Sequence, residues 1–286
     1  MKKRTWVFAT VTGALLGCRV VAGEPILTGE TLQVKSAVLR EVRTLRVHLP
    51  KVTNAPVTVF YVLDGERLFE PAASFCDYFG GVRNTTPRGC MVVGIDAGDK
   101  DRRTLNLTPT ASAAGRDGRV APGAPVVGGG ADRFLEFITK EAVPAAESCL
   151  APGTGVAQRI LVGHSFGGLF TLNAMAKADG TFRGFVAVDP SLWWDQNRFY
   201  RAFPQRIAEA GDTLQGAALY LGFGAAPRKA NQVHMDNARA IDHYWLPMLE
   251  KVGVDVTQRF FEGENHGTVA IPGIYDAMKR MMLPKK

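Results

Sequence analysis

Apolar residues along this chain fall in short runs. Leu32 to Leu39 and Leu45-Arg-Val47-His-Leu49 alternate apolar with polar positions, the period of half-buried strands, and predict an antiparallel hairpin at one sheet edge. Pro50 to Pro56 then reads as a turn. Val57–Leu63, Met91–Ile95, Ile160–Val162, Gly184–Val188, Ala218–Gly222 and Val256–Phe261 are mostly apolar and short, as in strands covered on both faces. Helical spacing separates them. Arg67–Phe79 puts Leu68, Ala72 and Phe75 on one face; Asp132 is placed to cap a helix carrying Phe134, Phe137, Ile138 and Ala142; Leu169–Ala176 reads as a buried helix. Two more helices are predicted near Val233–Glu250 and Pro272–Met282. Strands alternating with helices imply one α/β domain with a mostly parallel central sheet and helices on both faces. Residues 96–130 break the pattern, with Gly115, Gly118, Gly123 and Gly128 to Gly130 among Pro109, Pro122 and Pro125. A loop of that length in a compact domain is functional or disordered; its first part is expected to be ordered and its glycine-rich tip mobile.

Candidate chemistry sits in Arg159–Phe170. Strand Ile160–Val162 runs into Gly163-His164-Ser165-Phe166-Gly167 and then a helix, the strand–turn–helix context of a G-x-S-x-G nucleophile elbow. Such a turn holds its serine in a strained conformation at the end of the sheet, and the N–H of Phe166, opening the helix, can face a developing oxyanion. The second donor is expected from the turn after Leu63, at Gly65 or Glu66. A serine hydroxyl needs a base. Of the five histidines, His48 belongs to the early hairpin, His164 adjoins the serine but is turned elsewhere, and His234 and His243 lie on a predicted helix. His266 lies in Glu262-Gly-Glu-Asn-His-Gly-Thr268, a glycine-flanked loop after the last strand, where such sheets carry their sites.

The acid of a triad is less evident. Its usual place after the Tyr220 strand is Gly224-Ala-Ala-Pro-Arg-Lys229, without a carboxylate. Asp189, ending the strand after the nucleophile helix, and Asp236 are the substitutes, beside Glu262 and Glu264 flanking the histidine and a backbone carbonyl; a Ser–His pair with no separate acid is the competing reading. On that reading Asp189→Asn or Asp236→Asn alone costs less than about a hundredfold, against about 10⁴ for a true triad aspartate, with Asp189→Asn the more harmful.

Residues 1–22 are set apart. Lys2, Lys3 and Arg4 precede an apolar Trp6–Leu16 too short to span a bilayer, the pattern of an export signal. Leu15-Leu-Gly-Cys18 resembles a lipobox that would leave Cys18 lipidated, and Val20-Val-Ala22 an ordinary cleavage site; a periplasmic protein, soluble or lipid-anchored, is expected, with a single domain over 23–286. The formal charge is +7 and falls to +4 on cleavage before Cys18. Without a basic stripe and interleaved aromatics, nucleic acid is not an expected partner. An oxidising compartment suits one disulfide, and proximity favours Cys76–Cys90. No C-x-x-C or His/Cys cluster suggests a metal, and no cofactor is expected.

The chain resembles the siderophore-esterase branch of the esterase-D-like α/β-hydrolases. The resemblance rests on Tyr61-Val-Leu-Asp-Gly65, Leu107-Thr-Pro-Thr110, Gly129–Phe137, Gly163-His-Ser-Phe-Gly-Gly168, Asp189-Pro-Ser-Leu-Trp-Trp194 and Gly263-Glu-Asn-His-Gly267, and runs from about residue 30 to the C-terminus. It implies an α/β-hydrolase fold, Ser165 as nucleophile, His266 as base, and Phe166 with the Gly65 region as oxyanion hole. It further implies Arg102 or Arg103 facing the substrate and Trp193 and Trp194 lining its pocket. The chain departs from the family's pattern in the missing acid after Leu219–Gly222, in Asp189 where a serine is common, and in the glycine-rich Ala111–Gly130 insert. The expectation is a serine carboxylic-ester hydrolase working through an acyl-enzyme on a small-molecule ester of siderophore type. An acyltransferase on the same fold and a non-catalytic, lipid-anchored binding protein are the alternatives.

Overall fold

The computed structural model describes residues 27–51, 56–81, 89–226 and 244–282, with 236, 238 and 241; the predicted export signal, His234 and His243 lie outside them. One eight-stranded sheet organises the chain. Its strands are β1 (Glu30–Ser36), β2 (Glu41–His48), β3 (Val57–Leu63), β4 (Cys90–Ile95), β7 (Val156–His164), β8 (Gly184–Val188), β9 (Ala218–Gly224) and β10 (Asp255–Phe261). Their order is β1-β2-β4-β3-β7-β8-β9-β10. The hairpin β1–β2 lies at one edge, antiparallel to itself and to β4, and from β4 onward neighbouring strands are parallel. This is the α/β-hydrolase arrangement. The nucleophile strand β7 lies in the interior of the sheet, so its carboxyl end opens among other strand ends where loops converge.

Alternation along the strands divides the core in two. Val59, Tyr61 and Leu63 of β3 face a cluster that includes Phe134, Phe170, Phe203 and Trp245. Phe60 and Val62 face the other, formed with Leu68, Ala72 and Cys76 of α1 (Gly65–Gly81) and Ile274, Ala277 and Met278 of the C-terminal helix (Ala270–Met282). Successive side chains of a strand point to opposite faces, so a strand buried on both sides must be apolar throughout; β3, β4 and β8 are wholly buried.

Residues 96–130 are more built than a loop. Asp99 caps α2 (Lys100–Leu107) by accepting from the N–H of Arg102, and Ala111–Ser112 (β5) pairs antiparallel with Val127–Gly128 (β6). The tip closes on itself through Gly115 N–H to Arg119 O at 2.8 Å and Gly118 N–H to Gly115 O at 3.0 Å. α3 (Ala131–Phe137) starts from Gly130, not from a cap at Asp132. Asp132 lies inside the first turn, and its carboxylate crosses to Asn173 and Lys177 of α5 (Phe166–Lys177). A π-turn over Ile138–Ala142 leads to α4 (Val143–Glu147). α6 (Trp194–Ala210) and α7 (Leu246–Lys251) pack on the same face; of the predicted 233–250 helix, the part before 244 is described only at 236, 238 and 241.

Cys76 and Cys90 form a disulfide that ties α1 to the start of β4, and Cys149 is free. The bridge closes a loop of sequence separation 14, which the chain-entropy relation values at about 3 kcal/mol. Replacing both cysteines by alanine is expected to lower the unfolding free energy by about that much in urea titrations and to leave kcat within about twofold, since the bond lies away from the elbow.

Candidate active site

The elbow forms where β7 meets α5. Ser165 takes φ 62° and ψ −118°, a left-handed conformation that a side-chain-bearing residue holds only under constraint. The constraint is a cross-stitch with the turn after β8. Ser165 N–H donates to Val188 O at 3.0 Å, and Ser191 N–H donates to Ser165 O at 3.0 Å. A methyl group on Gly163 would run into the carbonyl of Gly167, so the glycine of the elbow is required by space.

Ser165 Oγ lies 3.0 Å from His266 Nε2, and His266 Nδ1 lies 2.6 Å from Asp189 Oδ2. The structure thus brings Ser165, His266 and Asp189 into one line. Asp189 is 1% exposed and is held by its own N–H donating to Gly222 O at 2.7 Å. Its carboxylate accepts from Nδ1–H, which leaves Nε2 with the lone pair that can receive the serine proton. Of the acid candidates the structure sets Asp189 on Nδ1; it directly follows β8, one strand nearer the nucleophile than the usual place. Asp236 is exposed and is not the group on Nδ1.

At Gly224, where the usual acid stretch begins, the histidine loop takes the space. A Cβ on Gly224 would lie 2.8 Å from Glu264 O and 3.0 Å from Asn265 C, and Ala226 N–H donates to Glu264 O at 2.8 Å. The histidine loop rests directly on the end of β9, so a side chain there would push it away.

Around the nucleophile, Ser191 was not singled out in the sequence. It is fully buried, and its Oγ is 3.1 Å from Ser165 Oγ. Because the Ser165 proton is directed at His266, Ser191 is the donor of that contact and orients the nucleophile's oxygen. The motif Asp189-Pro-Ser191 was the available signal. At the oxyanion side, Phe166 N–H opens α5 and Gly65 opens α1. Glu66 follows it, and its carboxylate accepts from Ala97 N–H at 3.3 Å while burial raises that carboxyl's pKa.

The predicted substrate arginines are otherwise engaged. Arg102 pairs with Glu41 of β2. Arg103 binds Asp64 through both ends of its guanidinium, at 2.5 and 2.8 Å, and lies 5.5 Å over the Phe166 ring. Asp64 is buried, with φ 54°, and the pair ties α2 to the β3–α1 turn beside the elbow. Trp194 is 5% exposed, with its Nε1–H on Thr110 O at 2.8 Å, and belongs to the core. Trp193 packs on Phe166 at 5.7 Å between ring centroids and carries the Arg116 guanidinium 5.1 Å over its own ring. Arg116 comes from the glycine-rich insert, and its role was not legible in the sequence.

The chain spans about half the length of the curated relatives it matches. It is 32% identical over 148 residues to a siderophore triacetylfusarinine C esterase of Aspergillus fumigatus, covering 50% of this chain and 47% of that protein. It is 32% identical over 169 residues to a siderophore enterobactin esterase of Emericella nidulans, covering 56% and 52%. Among solved structures, an IroE-like serine hydrolase from Shewanella oneidensis superposes with a TM-score of 0.76 at 27% identity, over 89% of this chain and 80% of that one. The model of the Esterase family matches residues 36–265, and the chain, with its elbow serine, histidine and aspartate in line, belongs to that family.

Proposed function

We propose that the protein is a serine carboxylic-ester hydrolase. The observation that carries this reading is the continuous Ser165–His266–Asp189 line at 3.0 and 2.6 Å. Ser165 Oγ attacks the ester carbonyl as its proton passes to His266 Nε2. The tetrahedral oxyanion is met by the N–H groups of Phe166 and Gly65, and Asp189 stabilises the imidazolium. Collapse expels the alcohol, which takes the proton from Nε2, and water then releases the acyl group by the same route in reverse roles. The names of the relatives support a siderophore-type ester as substrate. The disulfide and the N-terminal pattern support an exported protein. Labelling with a fluorophosphonate and peptide mapping tests the reading: modification of Ser165 with loss of p-nitrophenyl ester hydrolysis supports it, and an unlabelled, inactive protein overturns it.

Arg116 lies over Trp193, which packs on Phe166, with no carboxylate within ion-pair distance among the described residues, while Arg102 and Arg103 are paired. Arg116→Ala is expected to lower kcat/KM about fivefold to tenfold for esters whose acyl chain ends in a carboxylate, the loss of roughly 1 kcal/mol of charge attraction. Neutral short-chain esters should change less than twofold. Equal effects on both substrates would remove Arg116 from substrate selection.

A further inference from the structure

His164 precedes the nucleophile, and the elbow turns its side chain away from the Ser165 hydroxyl. It is not idle there. Its Nε2 lies 2.7 Å from the backbone carbonyl of His266, and its ring packs on that of His266 at 4.9 Å between centroids, tilted by 36°. A carbonyl oxygen only accepts, so Nε2 carries the proton and His164 donates. Burial, and His266 beside it, lower its pKa to about 4, so the ring is a neutral donor at ordinary pH.

The bond reaches a part of the histidine loop that its other bonds do not. Asn265 O accepts from the N–H groups of Thr268 and Val269 at 3.0 and 2.9 Å. Asn265 Oδ1 accepts from Gly267 N–H at 2.9 Å, Thr268 Oγ1 accepts from Asn265 N–H at 3.0 Å, and Glu264 O rests on Ala226 N–H. Among the described hydrogen bonds, the one that reaches the His266 carbonyl comes from His164. Rotation of that peptide swings the imidazole out of line with Asp189 and Ser165 together, since the ring is hung from the same Cα.

We propose that His164 is a positioning residue for the reaction: its Nε2–H pins the His266 peptide to the end of β7, so the nucleophile's own strand sets where its base stands. This rests on the esterase reading, with His266 as base. A misplacement of tenths of an ångström at a general base costs rate before it costs binding. The test compares His164→Leu, which removes the donor, with His164→Gln, whose amide N–H can restore it. His164→Met is a second variant without a donor, should the leucine variant fail to fold. Expected is a fall in kcat of about tenfold or more in the donorless variant, with KM within about twofold, and recovery to within about threefold in the glutamine variant. The downfield proton resonance of His266 Nδ1–H on Asp189 should be lost or broadened in the donorless variant and kept in wild type and His164→Gln. Unchanged kcat and resonance in the folded donorless variant would overturn the proposal, as would a glutamine variant no better than leucine. If wild type hydrolyses no ester and yet its downfield proton responds to His164→Leu, the esterase reading fails and the positioning of His266 by His164 stands.

Discussion

Asp189→Asn is expected to lower kcat for ester hydrolysis by about ten-thousandfold with little change in KM. The reason is the tautomer. In the native site Asp189 Oδ2, 2.6 Å from Nδ1, accepts the Nδ1 proton and leaves Nε2 free to take the proton of Ser165. An asparagine of the same shape can present its NH₂ to Nδ1, which moves the imidazole proton to Nε2 and leaves the serine facing a donor. The substitution also removes the negative charge that matches the imidazolium of the transition state. Asp189 is 1% exposed, so neither water nor salt replaces that charge. Asp236 is exposed, and Asp236→Asn should stay within about twofold. Single-mutant kinetics at fixed pH decide the matter: a loss below about a hundredfold at Asp189 would return the site to a Ser–His pair and sink the relay.

Ser165→Ala should lower kcat by about a millionfold and abolish fluorophosphonate labelling of the elbow peptide. The residual rate over water comes from the oxyanion donors and substrate binding, which the substitution leaves in place. His266→Ala should cost about as much, and the double mutant little more, because the two groups act as one unit. Stability is a separate readout. Ser165 holds φ 62°, and alanine at the same angle meets the same strain, so the melting temperature of Ser165→Ala should stay within a few degrees. Retention of more than about a tenth of wild-type kcat would remove Ser165 from its role.

Local signals in the sequence were enough for the elements. The runs around Val57–Leu63, Met91–Ile95 and Gly184–Val188 could only be strands covered on both sides, and the structure buries every residue of β3, β4 and β8. The edge hairpin followed from alternation over Leu32–Leu49, and the elbow from glycines spaced around Ser165, because these depend on neighbours a few residues apart. Boundaries moved by a few residues where caps are set by distant contacts, as at Asp132, whose carboxylate finds Asn173 and Lys177 on another helix. The interval 96–130 hid α2 because a short polar helix with Leu105 exposed and Leu107 buried has little periodicity to show.

What the sequence by itself determined is the class of chemistry: a strained serine between a strand and a helix, and a histidine on a glycine-flanked loop after the last strand. Tertiary structure decided who serves them. Asp189 becomes the partner of His266 because β8 lies beside β7 and the histidine loop folds back over Gly224, where a side chain would not fit. Arg103 is drawn to Asp64 and over Phe166, and Arg116, from the glycine-rich stretch, arrives over Trp193. These assignments span from 39 residues of sequence separation, Arg103 to Asp64, to 101, Ser165 to His266, between groups within a few ångströms. No local pattern records such a distance; it is set when the sheet fixes which strand ends share an edge.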